Sequence, residues 1–509
     1  MNTFSLHASA VSPEDAVRKA LANPSSRFIR GFLFGSVLPP SIPGHYVRVH
    51  DDLHLYVDRR ADHALRTEFF GSRKKSHWRW LGLSAADPFV FLLGNAVDPD
   101  NPSHDLASIA ENALEALHRN MSRFHASIAR LVGRFVVIWR TTQDNLFLMN
   151  DAIGMRPVFY GSGNGTDRFF AAGHALLTHQ QTGMRRRPDF ESKWGYPGDM
   201  TPYEGVYLHN PSTILDLASH KVSRLNPNAP IRSADPDRIG AFIAEKAGTV
   251  AAEIARRGPA LISLSAGADS RATLALSLPH KKSFKYFTYF RGRSRHVDTA
   301  VAASIAKGLG LDHQVIRPRN LDSRDAALCE RLDENSFYAH DRGITRTYLQ
   351  VFGIDSYLHI RSNAVEFFRT SAVDKICEKY GILPVDSSSM ARLYLKSGNI
   401  QESRESLSRA TQAFQRQIDV TSMTQACRKN DPRDVYFIEH RMAAWHSAVA
   451  LDSDLAFDTT IVFNSRDMLE AARQVPRNVR LADGLIEAIY RAADPQVLDW
   501  PINPPEFSG

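Results

Sequence analysis

The sequence is poor in cysteine and in long apolar runs. Its 509 residues include three cysteines, Cys329, Cys377 and Cys427, and no two of them form a Cys-x-x-Cys pair. This spacing argues against a disulfide framework and against a zinc site. No stretch approaches the roughly 20 apolar residues that a membrane span needs, and residues 1–5 lack the basic-then-apolar order of a secretory signal. We therefore expect a cytoplasmic protein that does not bind a membrane.

A strong excess of one charge sign is also missing. The chain carries 62 basic and 55 acidic residues, so its net charge of +7 is small for its length. Such an excess suits a pocket for an anionic ligand, or weak attraction to nucleic acid. The densest basic run, Arg185-Arg186-Arg187, has the composition of a solvated surface. Direct binding of nucleic acid is therefore not expected.

The sequence contains two different patterns of apolar residues, and its length predicts two domains. Turns separate three short apolar segments in the manner of antiparallel hairpins, at residues 134–139, 145–150 and 157–160. Short strands then alternate with helices, at residues 260–264, 270–278, 284–290, 298–308 and 314–316. This alternation predicts a parallel α/β sheet, which a mainly helical region and a Pro-rich segment follow. We place the boundary near residues 226–230, between domains 1–225 and 235–509.

The loop Ser265-Ala266-Gly267-Ala268-Asp269-Ser270 directly follows the first buried strand of the second domain. Its small residues let the backbone approach a ligand, and the helix that begins there offers free N–H groups and a positive dipole end to phosphate. Ser265 and Ser270 add hydroxyl donors. Asp269 would repel phosphate unless it holds Mg²⁺. The alternative is a plain strand-to-helix turn in which Asp269 caps the helix.

This loop resembles the pyrophosphate loop of ATP pyrophosphatases, whose pattern is Ser-Gly-Gly-x-Asp-Ser. Five of the six positions are compatible, and Ala266 replaces the first glycine. The replacement leaves the loop conformation open if that position needs a positive φ. The resemblance implies that Ser265, Gly267, Asp269 and Ser270 bind ATP, with Asp269 also on Mg²⁺.

Later in the chain, two more residues stand at positions where asparagine synthetases carry an Asp at the start of a helix and a His before the next strand. They are Asp298 and His313. The resemblance implies that Asp298 shapes the nucleotide pocket, although a plain helix cap is the alternative. His313 is expected to be structural.

The first domain resembles the glutaminase domain of asparagine synthetases and amidotransferases. Gly133-Arg134-Phe135 and residues 150–160 match its Gly-x-Phe strand and its Asp-x-x-Gly-x-(Arg)-Pro-Leu-Tyr-Tyr turn, and residues 201–211 resemble the linker that follows. The resemblance covers about residues 125–320, with weaker similarity to about residue 490. It implies an α/β protein in which an Ntn-hydrolase-like αββα sandwich precedes an adenine-nucleotide α-hydrolase-like domain. The second domain is expected to combine a parallel sheet with a helical C-terminal part.

The first domain lacks the nucleophile of this family. Family glutaminases use an N-terminal cysteine that is exposed once the initiator Met is removed, whereas position 2 is Asn2 and no cysteine precedes Cys329. Without a thiolate, glutamine hydrolysis by the family route is not expected. The domain would then be structural, as in β-lactam synthetases, carbapenam synthetases and lasso-peptide cyclases, which adenylate a carboxylate.

The second acidic loop of asparagine synthetases, Ser-Gly-x-Gly-x-Asp-Glu, has a degenerate counterpart at residues 361–366. Ser362 and Glu366 align with its Ser and Glu, whereas Val365 stands at the Asp position. Glu366 is therefore a candidate catalytic residue and Ser362 a candidate nucleotide contact. The alternative for Glu366 is an i,i+3 ion pair with Arg369.

The lysine that family enzymes present near their C-terminus is also missing, because no lysine follows Lys429. An arginine can supply positive charge instead, although its shape and pKa differ. Of Arg473, Arg477 and Arg480, we take Arg480 as the candidate. His440 and His446 lie six residues apart on one predicted helix, and core or surface positions are expected for both.

Together, these resemblances imply an ATP-dependent amide-forming ligase. The carboxylate of a small molecule or peptide would be adenylated with release of pyrophosphate, and an amine or free ammonia would then displace AMP. The alternative is a catalytically weak or inactive relative with a regulatory or assembly role, which Ala266, Val365 and the missing lysine favour. A third possibility is an RNA-modifying enzyme of the same ATP-loop superfamily.

Overall fold

The fold is taken from a computed structural model. It describes residues 13–22, 27–36, 44–50, 53–67, 87–141, 145–162, 169–183, 185–187, 195–225, 233–290, 296–318, 320–337 and 342–506. Residues 1–5 with Asn2, and the predicted boundary at residues 226–230, lie outside the described residues.

Antiparallel strands dominate the described residues up to Arg224. The elements are α1 (Pro13–Ala22), β1 (Phe32–Gly35), β2 (His45–His50), β3 (Leu53–Val57), β4 (His63–Thr67), β5 (Phe89–Val97), α2 (Leu106–Arg119), α3 (Met121–Ala129), β6 (Val132–Arg140), β7 (Leu146–Asn150), β8 (Phe159–Ser162), β9 (Phe169–Ala172), α4 (Ala175–Thr182), β10 (Tyr207–Leu208), β11 (Thr213–Asp216) and β12 (Val222–Arg224).

Helices dominate the described residues after position 232. The elements are α5 (Pro236–Arg257), β13 (Ala260–Ser263), α6 (Ala268–Ser277), β14 (Phe284–Tyr289), α7 (His296–Leu309), β15 (His313–Ile316), α8 (Ala326–Asn335), α9 (Arg342–Phe352), β16 (Leu358–Ile360), α10 (Ala372–Tyr380), α11 (Ser387–Ser397), α12 (Arg404–Thr421), α13 (Met423–Lys429), α14 (Pro432–Tyr436), α15 (Ser447–Ser453), β17 (Thr459–Thr460), α16 (Arg466–Arg473), α17 (Arg477–Leu481) and α18 (Gly484–Ala493). Short 3₁₀ turns at Leu278–Ser283, Ser323–Asp325, Asn363–Phe368 and Pro495–Asp499, and a π-helix at Phe437–His446, complete this part.

The first half consists of two six-stranded antiparallel sheets packed face to face. Their strand orders are β10-β8-β9-β1-β3-β2 and β12-β11-β7-β6-β5-β4. Strand β6 explains the layering, since Val136 and Ile138 join the core between the sheets while Val137 and Trp139 pack on the other face with α2 and α3. Leu177 of α4 packs on the outer face of the first sheet. The layers therefore run α, β, β, α, and β6 is apolar from Phe135 to Trp139 because both of its faces are covered.

The second half contains a parallel sheet of order β15-β14-β13-β16-β17. From β13 the chain first builds outward through β14 and β15, and then returns to add β16 and β17 on the other side of β13. The strand order therefore reverses between β13 and β16. In open α/β sheets, the crevice at the carboxyl ends of the strands at such a reversal is the usual ligand site.

Buried ion pairs join the two halves. Arg134 of β6 is fully buried, and its terminal nitrogens donate to the carboxylate of Asp454 at 2.5 and 2.8 Å. Arg156 lies 3.4 Å from Asp458, just before β17. Burial alone would raise the pKa of Asp458, but the positive charges of Arg156, Arg30 and Arg134 lower it. The carboxylate is therefore held ionised by arginines from the other half.

The turn within residues 150–160, which resembles a glutaminase motif, forms the rest of the contact between the two halves. Asp151 accepts hydrogen bonds from the backbone of Met155 and Arg156 and from the side chain of Asn464. Gly154 has φ 71°, and a Cβ there would lie 3.1 Å from Ala443 in the π-helix. Glycine is therefore needed for both the backbone conformation and the close approach.

The predicted strands and helices agree with the structure to within a few residues. This holds for the three strands predicted between residues 134 and 160 and for the five elements predicted between residues 260 and 316. The arrangement in space departs from a simple partition at residue 225. Helix α1 supplies Val17 and Leu21 to a core that Leu328 of α8 and Leu349 of α9 share. Among the described residues, no helix combines the length and apolar character that a bilayer crossing requires.

Substitution of Arg134 should test the contact between the halves. Arg134→Met keeps much of the volume but removes both hydrogen bonds to the buried Asp454 and leaves it only the more distant Arg156, at 3.8 Å. We therefore expect the free energy of unfolding to fall by about 3 kcal/mol. Urea unfolding followed by circular dichroism measures the effect. Arg185→Ala, which breaks an exposed ion pair with Glu204, should unfold as the wild type does. Equal unfolding midpoints for Arg134→Met and the wild type would contradict the structural role.

Candidate functional site

The predicted phosphate loop lies at the reversal of strand order. Residues 264–267 connect the carboxyl end of β13 to α6, and residues 361–368 leave the carboxyl end of the neighbouring strand β16. Parallel pairing of β13 with β16 therefore brings two segments about 100 residues apart in sequence to one edge of the sheet. The predicted phosphate loop at residues 265–270 and the counterpart of the second acidic loop at residues 361–366 therefore meet at this edge.

Hydroxyl groups hold the first loop in shape. Ser265 Oγ and Ser270 Oγ lie 3.0 Å apart, and Ser265 Oγ accepts a hydrogen bond from the backbone N–H of Gly267 at 3.1 Å. Asp298, at the start of α7, accepts one from the N–H of Ala266 at 3.3 Å. Helix α6 begins after Gly267 without a side-chain cap. Its first N–H groups are thus not capped by a side chain and lie where an anion is favoured.

The conformation of the loop accommodates Ala266. Ala266 is not among the residues with positive φ, and Gly267 has φ −78° and ψ 155°, which any residue can adopt. A Cβ at Gly267 would nevertheless lie 3.2 Å from Ser265 Oγ. The glycine thus keeps space beside the loop, and the alanine at position 266 does not distort the backbone.

The second loop places one acidic residue in the site and one apolar residue in the core. Ser362 Oγ lies 2.7 Å from Thr273 Oγ1 of α6, which ties the two loops together. Val365 is fully buried among the apolar residues of the second half. Glu366 follows in the 3₁₀ turn, and its Oε2 is buried without a hydrogen-bond partner among the described residues.

The negative charge of Glu366 acts on Asp269. Burial and the negative charge of Glu366 raise the pKa of Asp269 to about 7, and the positive charges of Arg369 and Lys375 oppose that rise. The Asp269 side chain is 33% exposed, so it lies in a cleft rather than in the core. Two acids that repel each other in a cleft are an arrangement that a bound cation would stabilise.

Two cations near this acidic pair were not identified from the sequence as site residues. Arg369 Nη1 lies 3.4 Å from Asp269, and Arg369 Nε lies 3.4 Å from Asp483, so Arg369 pairs with these two acids rather than with Glu366. Lys375 is exposed on α10 and makes no ion pair among the described residues. The only sequence signal for Lys375 is its position in the helix that follows the second loop.

Arg480 occupies a different place from the one expected of a catalytic cation. It is buried, donates to the carboxylate of Asp434 at 2.6 Å and to the carbonyl of Phe367 at 2.9 Å, and its guanidinium stacks on the Phe367 ring. These contacts fix the 3₁₀ turn that carries Glu366. Arg480 thus supports the second loop, and positive charge at Asp269 comes from Arg369 and Lys375. The catalytic role of Arg480 stays a prediction.

The histidines considered from the sequence are structural in their contacts. His313 lies 2.8 Å from the Thr288 hydroxyl, and burial lowers its pKa. His440 and His446 are both within the π-helix; His440 contacts the carbonyl of Tyr196 and His446 the side chain of Asn363. Burial lowers the pKa of both.

The residues present suit a magnesium–nucleotide complex. Carboxylate oxygens are the ligands that Mg²⁺ prefers, and one of those available, Glu366 Oε2, lacks a partner. Among the described residues, no three His, Cys, Asp or Glu side chains cluster as a metal site. A cation at Asp269 and Glu366 would therefore complete its shell with phosphate oxygens and water, as Mg²⁺ commonly does.

Comparison with known proteins adds little to this geometry. No protein-family model matches the chain, and no curated protein matches it. Among solved structures, it is similar to a glutamine-dependent NAD⁺ synthetase from Acinetobacter baumannii in complex with ADP, at 17% identity over 33% of this chain and 32% of that chain. The TM-score is 0.18, so this similarity carries no argument about fold or function.

The raised pKa of Asp269 predicts a specific dependence of stability on pH. Its pKa is about 7 in the folded protein, against an ordinary value of 3.8 for an aspartate. Stability should therefore decline as the pH rises from about 4 to about 7, because the unfolded chain loses this proton first. Asp269→Asn removes the effect, so its melting temperature relative to wild type should increase between about pH 5 and about pH 8 in metal-free buffer.

A partner variant provides the control. Glu366→Gln removes the charge that raises the pKa of Asp269, so it should shift the pH dependence to lower pH without abolishing it. Melting curves of wild type and Asp269→Asn that stay parallel across this pH range would contradict the acidic pair.

Proposed function

We propose that this chain is an ATP-dependent amide-forming ligase of the asparagine synthetase-like kind. The observation that carries the proposal is the meeting of Asp269 and Glu366 at the reversal of strand order, beside the uncapped start of α6. A phosphate-binding helix start, two acids for a cation and a nearby lysine are the groups that a nucleotidyl-transfer site needs. In this proposal, the second half is an adenine-nucleotide α-hydrolase-like domain.

The proposed reaction has two steps. A carboxylate oxygen of a small molecule or peptide attacks the α-phosphorus of ATP, so that the bond to pyrophosphate breaks and an acyl-adenylate forms. The nitrogen of an amine or of free ammonia then attacks the acyl carbon, AMP leaves, and the amide forms with loss of a proton to solvent. When bound, Mg²⁺ would neutralise the charge of the pyrophosphate group.

Each group of the site has a role in this reaction. The uncapped backbone N–H groups at the start of α6, with the hydroxyl groups of Ser265 and Ser270, would bind the pyrophosphate oxygens, and Gly267 would leave space for them. Asp269 and Glu366 would hold the cation, and Asp298 keeps the loop in place through Ala266. Arg369 is held by Asp269 and Asp483, from where it could transfer to a phosphate. Lys375 would stabilise negative charge that develops during adenylation.

We also propose that the first half is an Ntn-hydrolase-like sandwich that serves as a platform. Its α, β, β, α layers suit that fold, and its glutaminase-like motif residues Arg134, Asp151 and Arg156 are engaged with the second half. Retention of the motif is then accounted for by packing, without any hydrolytic role.

A second candidate is a relative that binds ATP without turnover and has a regulatory or assembly role. The burial of Val365 favours it, because the second loop then offers one carboxylate where family enzymes have two adjacent acids. The ion pair of Arg369 with Asp269 also competes with a metal for one ligand. Binding of ATP without release of pyrophosphate would be its signature.

Pyrophosphate release distinguishes the two candidates. The purified chain, with Mg-ATP and pools of candidate carboxylates, should release pyrophosphate only in the presence of the substrate carboxylate. Asp269→Ala should abolish release, whereas Asp237→Ala, which alters an exposed acid on α5, should not. ATP binding by calorimetry without release for any carboxylate would favour the regulatory candidate, and no binding would exclude both.

Lys375 offers a matched test within one helix. We expect Lys375→Ala to lower the kcat of pyrophosphate release about 10²-fold, since one preorganised charge at a transition state contributes on that order. Lys379→Ala, one turn further along α10, removes an equal charge that lies over the Tyr380 ring and should leave the rate unchanged. Equal effects of the two variants on kcat would mean that Lys375 acts only through the overall electrostatic field of the protein and not at the reacting groups.

A further inference from the structure

A segment from the far end of the described chain lies against the phosphate loop. The backbone N–H of Asn503 donates to the carbonyl of Ala266 at 3.0 Å. The side-chain oxygen of Asn503 lies 3.6 Å from the position that a Cβ on Gly267 would occupy. The segment of residues 495–503, which we call the clasp, therefore touches Ala266 and Gly267 of the loop that is proposed to bind pyrophosphate.

An aromatic anchor holds the clasp on α7. The indole N–H of Trp500 donates to Ser304 Oγ at 3.2 Å, and its ring packs so closely on Gly308 that a Cβ there would lie 2.4 Å from it. Val497 is fully buried in the core of the second half. The clasp is thus a docked part of the fold at one end and a neighbour of the loop at the other.

Arg271 links the clasp to α6, the helix that follows the phosphate loop. It lies on α6 two residues after Asp269 and is fully buried. Its guanidinium donates to the carbonyls of Val497, Trp500 and Pro501 at 2.6, 2.9 and 3.1 Å, and it makes no ion pair among the described residues. Burial lowers its pKa. The three carbonyls accept hydrogen bonds from its terminal nitrogens, whereas its buried Nε has no partner among the described residues. Its positive charge also lacks a counter-ion, and a polyphosphate nearby would supply one.

Asn503 has the free groups and the backbone shape for contact with a ligand. Its φ of 45° lies in the left-handed region, which Asn tolerates better than most residues. It is exposed, and its side-chain amide makes no hydrogen bond among the described residues. An amide beside Gly267 can donate to a phosphate oxygen without any movement of the clasp.

We propose that the clasp completes the nucleotide site: Asn503 contacts the phosphates, and Arg271 and Trp500 are positioning residues that hold it there. The proposal rests on the proposed function of the same loop. It makes clasp docking and nucleotide binding thermodynamically linked, so each must strengthen the other by the same factor.

The test uses two isosteric changes of amide to carboxylate. Asn503→Asp places a negative charge beside the phosphates and should weaken Mg-ATP binding, measured by calorimetry, at least 10-fold. Gln496→Glu makes the same change at an exposed position at the other end of the clasp and should alter affinity less than 2-fold. Asn503→Gly keeps the left-handed backbone and should weaken binding by a smaller factor than Asn503→Asp.

A second measurement separates positioning from simple stability. Trp500→Ala should weaken Mg-ATP binding about 5- to 20-fold, and ATP should slow hydrogen exchange of residues 495–503 in the wild type by a similar factor. If the clasp were purely structural, Trp500→Ala would lower the melting temperature but leave the affinity for Mg-ATP unchanged. ATP would then not slow hydrogen exchange of residues 495–503 in the wild type.

The outcomes distinguish this inference from the proposed function. If the wild type binds Mg-ATP but Asn503→Asp binds it equally well, and ATP leaves exchange of the clasp unchanged, the inference is overturned and the proposed function stands. If the wild type does not bind Mg-ATP, both fall. If Trp500→Ala does not fold, Asn503→Asp decides, because Asn503 is exposed.

Discussion

The buried pairing of Arg134 with Asp454 is the constraint on which the rest of the structure depends. Asp454 and Asp458 precede β17, and the carbonyl of Asp458 accepts a hydrogen bond from the backbone of His359 in β16. The arginines of the first half therefore hold the edge strand that pairs with β16. Since β16 carries the second loop, Glu366 is positioned through a chain of contacts that starts in the other half. An apolar contact of the same area would bury as much surface but would not fix the position of β17 in this way. Apolar contacts lack the directional partners that hydrogen-bonded charges have.

The site combines groups that destabilise the empty protein. Asp269 and Glu366 repel each other, and Arg271 lies buried without a counter-ion. Arg369 partly offsets the first of these through its ion pair with Asp269. A magnesium–nucleotide complex would supply a cation to the acids and an anion to the arginine at the same time. Groups that are unfavourable alone are thus complementary to one ligand, and this favours a nucleotide site over a plain helix cap.

Much of the fold could be predicted from the sequence because its patterns are local. The strands at 134–160 and the strand–helix alternation at 260–316 follow from periodicity, and the loop between β13 and α6 from its small residues. That this loop binds phosphate stays a prediction. Lys375, Arg369 and Asn503 could not be found that way, since they reach Asp269 or Gly267 from distant parts of the chain. The buried ion pair of Arg480 could not be found either, since its partner Asp434 is 46 residues away and no local pattern indicates the pair. The prediction of roles for Ser265, Ser270, Asp298 and Ser362 remains a prediction.

The residues of the first half that resemble a glutaminase motif have packing roles in this structure. Asp151 binds two backbone N–H groups of its own turn and Asn464 of the second half, and Gly154 admits the π-helix at Ala443. Replacement of either residue would leave buried polar groups unpaired or force two backbones apart. Such constraints act on folding whether or not a nucleophile is present. The resemblance of this half to a hydrolase is therefore weak support for hydrolysis, whereas the buried Oε2 of Glu366 has no hydrogen-bond partner among the described residues. Function must accordingly be sought at the carboxyl ends of β13 and β16.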